Sequence, residues 1–340
     1  MAIIEVNNLV KKYKIIEKEE GLKGYLKHLV KPKYKEFKAV DGITFNIEEG
    51  ELVGYIGENG AGKSTTIKML TGLLTPTSGN VIVNGLIPNE KRMQNNKNIG
   101  AIFGQKTQLW WDLPVIESFE LIKKMYKIPE KDYKENLEKF TKILELKELL
   151  NKQVKNLSLG QKMRCEIAAT FLHNPKIVYL DEPTIGLDVF VKENIRKFIK
   201  DINKEKKTTV ILTTHDLKDI EDICNRIILL DKGQIIYDGS KQKFKNTYGK
   251  YIIAEFIISN KSEEISKSIT LKNIEVIEEK EQELKIKFSH DETTIVKIMD
   301  EISKYCTIDD IHMKEAELED ILKEIYKGVH TNVKNNVSIS

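Results

Sequence analysis

Cysteine is scarce. Cys165, Cys224 and Cys306 are three in 340 residues, widely spaced and without a Cys-x-x-Cys pair or a histidine cluster. A disulfide framework and a zinc site are therefore not expected, and the three read as reduced core thiols. Long apolar runs are missing too: none approaches the roughly 20 residues that cross a bilayer, so no membrane span is expected. The opening Met1-Ala-Ile-Ile-Glu-Val6 lacks a charged region followed by an apolar core, and nothing in it directs secretion. Arginine is nearly absent: Arg92, Arg164, Arg196 and Arg226 stand among 55 basic residues, and the net charge is only +3. A lysine bias with so small a net charge reflects genome composition more than nucleic-acid binding. Tryptophan is confined to the adjacent Trp110 and Trp111.

What is present is ordinary for a globule, with 40% hydrophobic and 31% charged residues. The length points to two domains at about 150 residues each. The chain is arranged around Gly57-Glu-Asn-Gly-Ala-Gly-Lys-Ser-Thr65, which fits the phosphate-binding pattern Gly-x-x-x-x-Gly-Lys-Ser. Glu51 to Ile56 before it reads as a buried strand, and Thr65 to Leu70 after it as a helix ending near Gly72. In that context Gly57, Asn59, Gly60 and Gly62 let backbone N–H groups wrap a polyphosphate at a helix start. Lys63 then reaches the β/γ-phosphates, and Ser64, followed by Thr65, meets Mg²⁺.

Around this loop the expected order is α/β. Strand patterns lie at Ile3 to Val6, Leu9 to Tyr13, Val40 to Ile47, Gly79 to Gly85 and Asn98 to Phe103. A lysine-rich insert, 14–38, separates the early strands. Helical periodicity over Glu117 to Tyr126 and Lys131 to Leu150 marks a helical subdomain at about 105–172. Ile177 to Glu182, the helix Val189 to Lys204 and Thr208 to Thr213 form a parallel β-α-β unit. Past Gly239 the pattern changes to strands at Tyr251 to Ile258, Asn273 to Ile277, Leu284 to Phe288 and Thr307 to Met313. Helices are expected at Ser262 to Ile269, Glu292 to Lys304 and Glu315 to Lys327. That order suggests a small ferredoxin-like α+β domain over 250–328, followed by a flexible tail, 329–340.

At Leu157-Ser-Leu-Gly-Gln161 a resemblance becomes visible. With the phosphate loop, Gln105, the Asp181-Glu182 pair and His215 in this order and spacing, residues 2 to 240 resemble the ATP-binding subunit of an ATP-binding cassette (ABC) transporter, and most resemble the ATPases of ABC-2 type drug and antibiotic exporters. One position departs from the family pattern: Leu159 stands where glycine is usual.

The resemblance implies an α/β P-loop core with an antiparallel β flank and a helical subdomain, over 1–240. It implies ATP and Mg²⁺ as cofactors. Glu182 orients or deprotonates the attacking water, His215 donates to the γ-phosphate, and Gln105 senses Mg²⁺ and the γ-phosphate. Asp181 holds the ion through water, together with Ser64. Tyr13 stacks on adenine. Ser158, Gly160 and Gln161 open a helix that serves the nucleotide of a second subunit, and Asp188 couples the two sites of a homodimer. Such a subunit powers separate membrane permease chains from the inner face of the cell membrane. A non-transport cassette acting on nucleic acid or the ribosome is the alternative, disfavoured by the single cassette and the absence of an interrupting coiled coil.

Two features lie outside that assignment. Trp110 and Trp111 suggest an exposed aromatic anchor for the permease. Leu22, Tyr25, Leu26 and Leu29 recur at helical spacing among lysines, the pattern of a short basic amphipathic helix able to meet an anionic membrane surface or the permease.

Overall fold

In the computed structural model, which describes residues 2–16, 34–104, 106–249, 251–289 and 292–326, the chain divides into two compact units, Met1–Ser240 and Lys241–Ser340. Gln105, the helical pattern of Leu22 to Leu29 and the tail beyond Tyr326 lie outside the described residues.

The first unit is built on two fifteen-residue strands in its flank and short apolar strands in its centre. Strands β1 (Ala2–Ile16), β2 (Tyr34–Glu48) and β4 (Ser78–Val83) form an antiparallel sheet in the order β2-β1-β4. Alternation at Ile43, Phe45 and Ile47 turns one face of β2 inward, and Val40, three residues before Ile43 and so out of that phase, is buried as well. β3 (Leu52–Gly57), β5 (Ile99–Phe103), β6 (Ile177–Asp181), β7 (Thr209–Thr213), β8 (Arg226–Asp231) and β9 (Gln234–Ser240) form a second sheet in the order β5-β6-β7-β3-β8-β9. Its first five strands are parallel and β9 is antiparallel. β6 and β7 are buried on both faces, with apolar centres at Ile177 to Leu180 and Val210 to Leu212, as strands covered on both sides must be. Ile4, Val6, Phe45 and Val83 of the flank meet Val53, Tyr55, Tyr179 and Ile228 of the main sheet in one core.

Register decides where the chemistry falls. Phe103 lies opposite Asp181 and Asp181 opposite Thr213, so β5, β6 and β7 end at one level, and β3 runs out into the phosphate loop at the same edge. Open parallel sheets carry their ligands at this carboxyl edge.

Several sequence expectations shift. The stretch expected as an insert from Lys14 is strand at both ends: Ile16 pairs with Tyr34 and Tyr13 with Phe37. Lysines on a two-stranded ribbon mask its alternation, and Lys12 pairs with Glu36 at 2.9 Å. The helix expected to reach Leu150 stops at Ile143, because Glu145 turns left-handed at φ 53° and Leu146 bonds back to the Thr141 carbonyl. Helices Arg92–Asn98 and Leu217–Ile223 escaped the sequence reading, each being only seven residues.

In the second unit, β10 (Tyr251–Ser259), β11 (Ile274–Glu279), β12 (Glu283–Ser289) and β13 (Thr307–Glu315) form an antiparallel sheet in the order β11-β12-β10-β13. Phe256, Ile258, Leu284 and Ile286 pack with Ile298 and Ile302 of the helix Ile295–Ile302. The other helices are shorter or later than periodicity alone indicates. Glu279 takes the N–H groups of Ile265 and Ser266 and so starts the helix at Ile265 rather than Ser262. β13 continues to Glu315, which delays the last helix to 318–326.

Candidate nucleotide site

The phosphate loop is possible only with glycine. Gly62 precedes the helix Lys63–Leu70 at φ 107°, and a Cβ there would lie 2.4 Å from the Ala39 carbonyl oxygen. Gly60 is also left-handed, at φ 85°, and faces open space. The helix therefore starts with free N–H groups beside Lys63. Lys63 is largely buried and donates to the carbonyls of Gly57 at 2.7 Å and Glu58 at 3.1 Å. Burial lowers its pKa; Glu182 and Asp181 pull the other way.

An open cleft of about 370 Å³ joins these groups. It is lined by Asn59, Gly60, Gly62, Lys63, Ser64 and Thr65 of the loop, by Asp181 and Glu182, by His215, and by Tyr13 on the flank. Ser64 Oγ lies 3.3 Å from Asp181 Oδ2, and the Thr213 hydroxyl donates to the other oxygen of that carboxylate. A hydroxyl and a carboxylate this close are the hard oxygen donors that Mg²⁺ takes beside retained waters.

Glu182 sits just past the end of β6 at φ 56°, the left-handed region that costs a non-glycine residue about 1 kcal/mol or more. Its N–H is fixed to the Thr213 carbonyl at 2.9 Å. Its carboxylate accepts the His215 N–H at 3.2 Å and lies 3.5 Å from His215 Nε2. Burial raises the Glu182 pKa, with His215 and Lys63 opposing and Asp181 reinforcing the rise. A partly desolvated carboxylate beside a lysine and an imidazole is suited to holding or taking a proton from water.

Ser158, Gly160, Gln161 and Asp188 are not among the residues lining the cleft. Ser158 and Gln161 cap one another at the start of the helix Leu159–Phe171: Gln161 N–H donates to Ser158 Oγ at 3.3 Å, and Ser158 N–H to Gln161 Oε1 at 3.1 Å. Asp188 caps the helix Val189–Lys206 through the Val191 N–H at 2.9 Å. Leu159 lies over Gly186, where a Cβ would come 3.1 Å from Leu159 Cδ2. At Gly160 the nearest atom to an added Cβ would be Val191 Cγ2 at 3.6 Å, an ordinary contact. This fold alone does not demand glycine there.

Phe37 and Ala39 also line the cleft and were missed in the sequence. Phe37 pairs across the ribbon with Tyr13, and its position in a lysine-rich stretch hides it; strand pairing is the signal that finds it. Trp110 and Trp111 remain 37% and 53% exposed, with Lys162 Nζ 5.0 Å from the Trp111 ring centroid.

A phosphate loop at the carboxyl edge of a parallel sheet, an Asp-Glu pair and a histidine facing it, and an antiparallel flank define a P-loop ATPase cassette. The chain belongs to the ABC transporter family as an ATP-binding, ATP-hydrolysing subunit, and residues 40–185 match the family model described as ABC transporter. It is 32% identical to the ABC transporter ATP-binding protein NatA of Bacillus subtilis, over 61% of this chain and 84% of that one. With the linearmycin resistance ATP-binding protein LnrL of the same organism it shares 31% identity over 81% of this chain and 89% of the relative. Among solved structures, the ATP-binding subunit of an ABC transporter superposes with a TM-score of 0.61 at 25% identity, covering 73% of this chain and 93% of that one. A dimeric ATP-binding cassette in a post-hydrolysis state, bound to ADP and Pi, superposes with a TM-score of 0.58 at 28% identity, covering 70% and 98%.

Proposed function

We propose that this subunit hydrolyses ATP with Glu182 as the residue that orients and deprotonates water and His215 as the donor to the γ-phosphate. The observation that carries this reading is the convergence of Lys63, Ser64, Asp181, Glu182 and His215 on one cleft. Tyr13 and Phe37 line the same cleft, and their rings would stack on the base. Ser64 and Asp181 would hold Mg²⁺, with Gln105 assigned to it by the resemblance; when bound, the ion neutralises charge on the β- and γ-phosphates. Lys63 adds a fixed positive charge to the same oxygens, and Glu182 sets the direction of attack.

Two copies would complete two sites. Ser158 and Gly160 sit at a helix start outside the cleft of their own chain, and a glycine that its own fold does not require is accounted for by close approach to a partner's phosphate. The energy would drive separate permease chains, placing the subunit on the inner face of the membrane; among the described residues no helix is long and apolar enough to cross it. Trp110 and Trp111 are the aromatic anchor proposed for that docking.

Export is the favoured direction. The alignment with the linearmycin resistance protein runs over 279 residues, beyond the length of the cassette, whereas that with the methionine import protein MetN 2 of Enterococcus faecalis covers 59% of each chain. Co-purification from native membranes tests the reading: permease chains should accompany the tagged subunit. Recovery of the subunit alone, or with ribosomes, would contradict it.

A further inference from the structure

Behind the cleft, Asp219 is completely buried, at 0% exposure, in the helix Leu217–Ile223. Its two oxygens serve three elements. Oδ1 accepts Arg196 Nε at 2.6 Å, from the helix Val189–Lys206. Oδ2 accepts the Thr184 hydroxyl and the Thr214 hydroxyl, the latter at 3.3 Å. Thr184 stands two residues after Glu182, and Thr214 immediately before His215. Arg196 is in turn held 3.3 Å from Asp222 and 3.6 Å from Asp216, and Lys192 pairs with Asp216 at 2.6 Å. None of these side chains lines the nucleotide cleft.

We propose that Asp219 is a positioning residue for hydrolysis, tying the loop that carries Glu182 to the loop that carries His215 so that the two keep their mutual geometry as ATP is engaged. The proposal rests on the roles given above to Glu182 and His215. Those two residues already touch at the front of the loops, through the His215 N–H and the Glu182 carboxylate. A second tie at the back makes the pair a two-point frame rather than a hinge. Stability alone does not account for it, since a buried ion pair adds little over apolar side chains of equal volume. What a fixed carboxylate adds is direction, because it accepts from three donors at set angles. A small displacement of either loop would move a proton-transfer group off line, and misplacement by about 1 Å costs on the order of a hundredfold in rate.

Removing Asp219 risks unfolding, so the threonines carry the test. Thr184→Val keeps the shape and deletes the donor; Thr184→Ser restores it. In steady-state phosphate release, Thr184→Val should lower kcat about tenfold with KM for ATP within about twofold of wild type, and Thr184→Ser should recover most of the loss. Thr184→Val combined with Thr214→Val should lose less than the product of the single losses, because both donors serve one oxygen. Circular dichroism fixes a temperature at which all variants are folded. Wild-type kcat in folded Thr184→Val, or a fall shared by Thr184→Ser, overturns the proposal. Glu182→Gln, measured alongside, separates the two claims: if it loses turnover while Thr184→Val does not, only the frame is wrong; if it keeps turnover, both are.

Discussion

Among single residues, Glu182 is decisive for hydrolysis in the proposed mechanism. It is held past a strand end in a left-handed conformation, with its carboxylate against His215 and within the electrostatic reach of Lys63. Glu182→Gln keeps shape and hydrogen bonding but loses the basic oxygen, so ATP should still bind while turnover falls about a hundredfold or more. Lys63→Ala should behave differently and lose nucleotide binding, visible as a rise in Kd by equilibrium titration. The pH dependence follows from the direction of the Glu182 shift. Because burial raises its pKa above the ordinary carboxylate range, and because the active form is deprotonated, hydrolysis should decline as pH falls through that raised value, before ordinary carboxylates titrate. A rate–pH profile of the wild-type enzyme should show this acid limb, and the small residual rate of Glu182→Gln should not.

Among the elements, the helix Leu159–Phe171 and the turn that follows it carry one prediction each. The helix Leu159–Phe171 has room at Gly160, so Gly160→Ala should fold normally, even with a slightly higher melting temperature from better helix propensity, yet weaken ATP-driven pairing of subunits. A folding defect in that variant would return Gly160 to an internal role. Just past the helix, His173 stacks on Tyr126 with ring centroids 3.9 Å apart and bonds through Nε2 to the Ile99 carbonyl, while its buried Nδ1 has no partner among the described residues. Burial lowers its pKa from 6.5 to about 4. The unfolded chain therefore takes up the proton first, and the contribution to stability, full above pH 6.5, is lost as pH falls toward about 4. Urea midpoints across that window should fall less steeply for His173→Phe than for wild type. These elements also show what was legible beforehand. The phosphate loop, the Asp181-Glu182 pair and the β-α-β unit were readable because short apolar strands and glycine spacing are local signals. The ribbon ends at Ile16 and Tyr34, the place of Phe37 and the tie at Asp219 depend on pairing between segments far apart in the chain, which no local pattern carries.

In the whole molecule, one chain would supply the phosphate loop, Asp181, Glu182 and His215, while a second would supply the helix start at Ser158 and Gly160. In one copy the cleft gathers the first set without the second. ATP should therefore act as the joint between copies, and departure of the hydrolysis products should open it; the cassette of similar fold that carries ADP and Pi is still dimeric. Blocking hydrolysis with Glu182→Gln would hold the joint closed. The most direct measurement is the molar mass of Glu182→Gln by light scattering with and without ATP and Mg²⁺, together with the nucleotide retained per chain. A monomer is expected without nucleotide and a dimer with it, holding two ATP molecules per pair. A protein that binds ATP at wild-type affinity and stays monomeric would rule out the shared site.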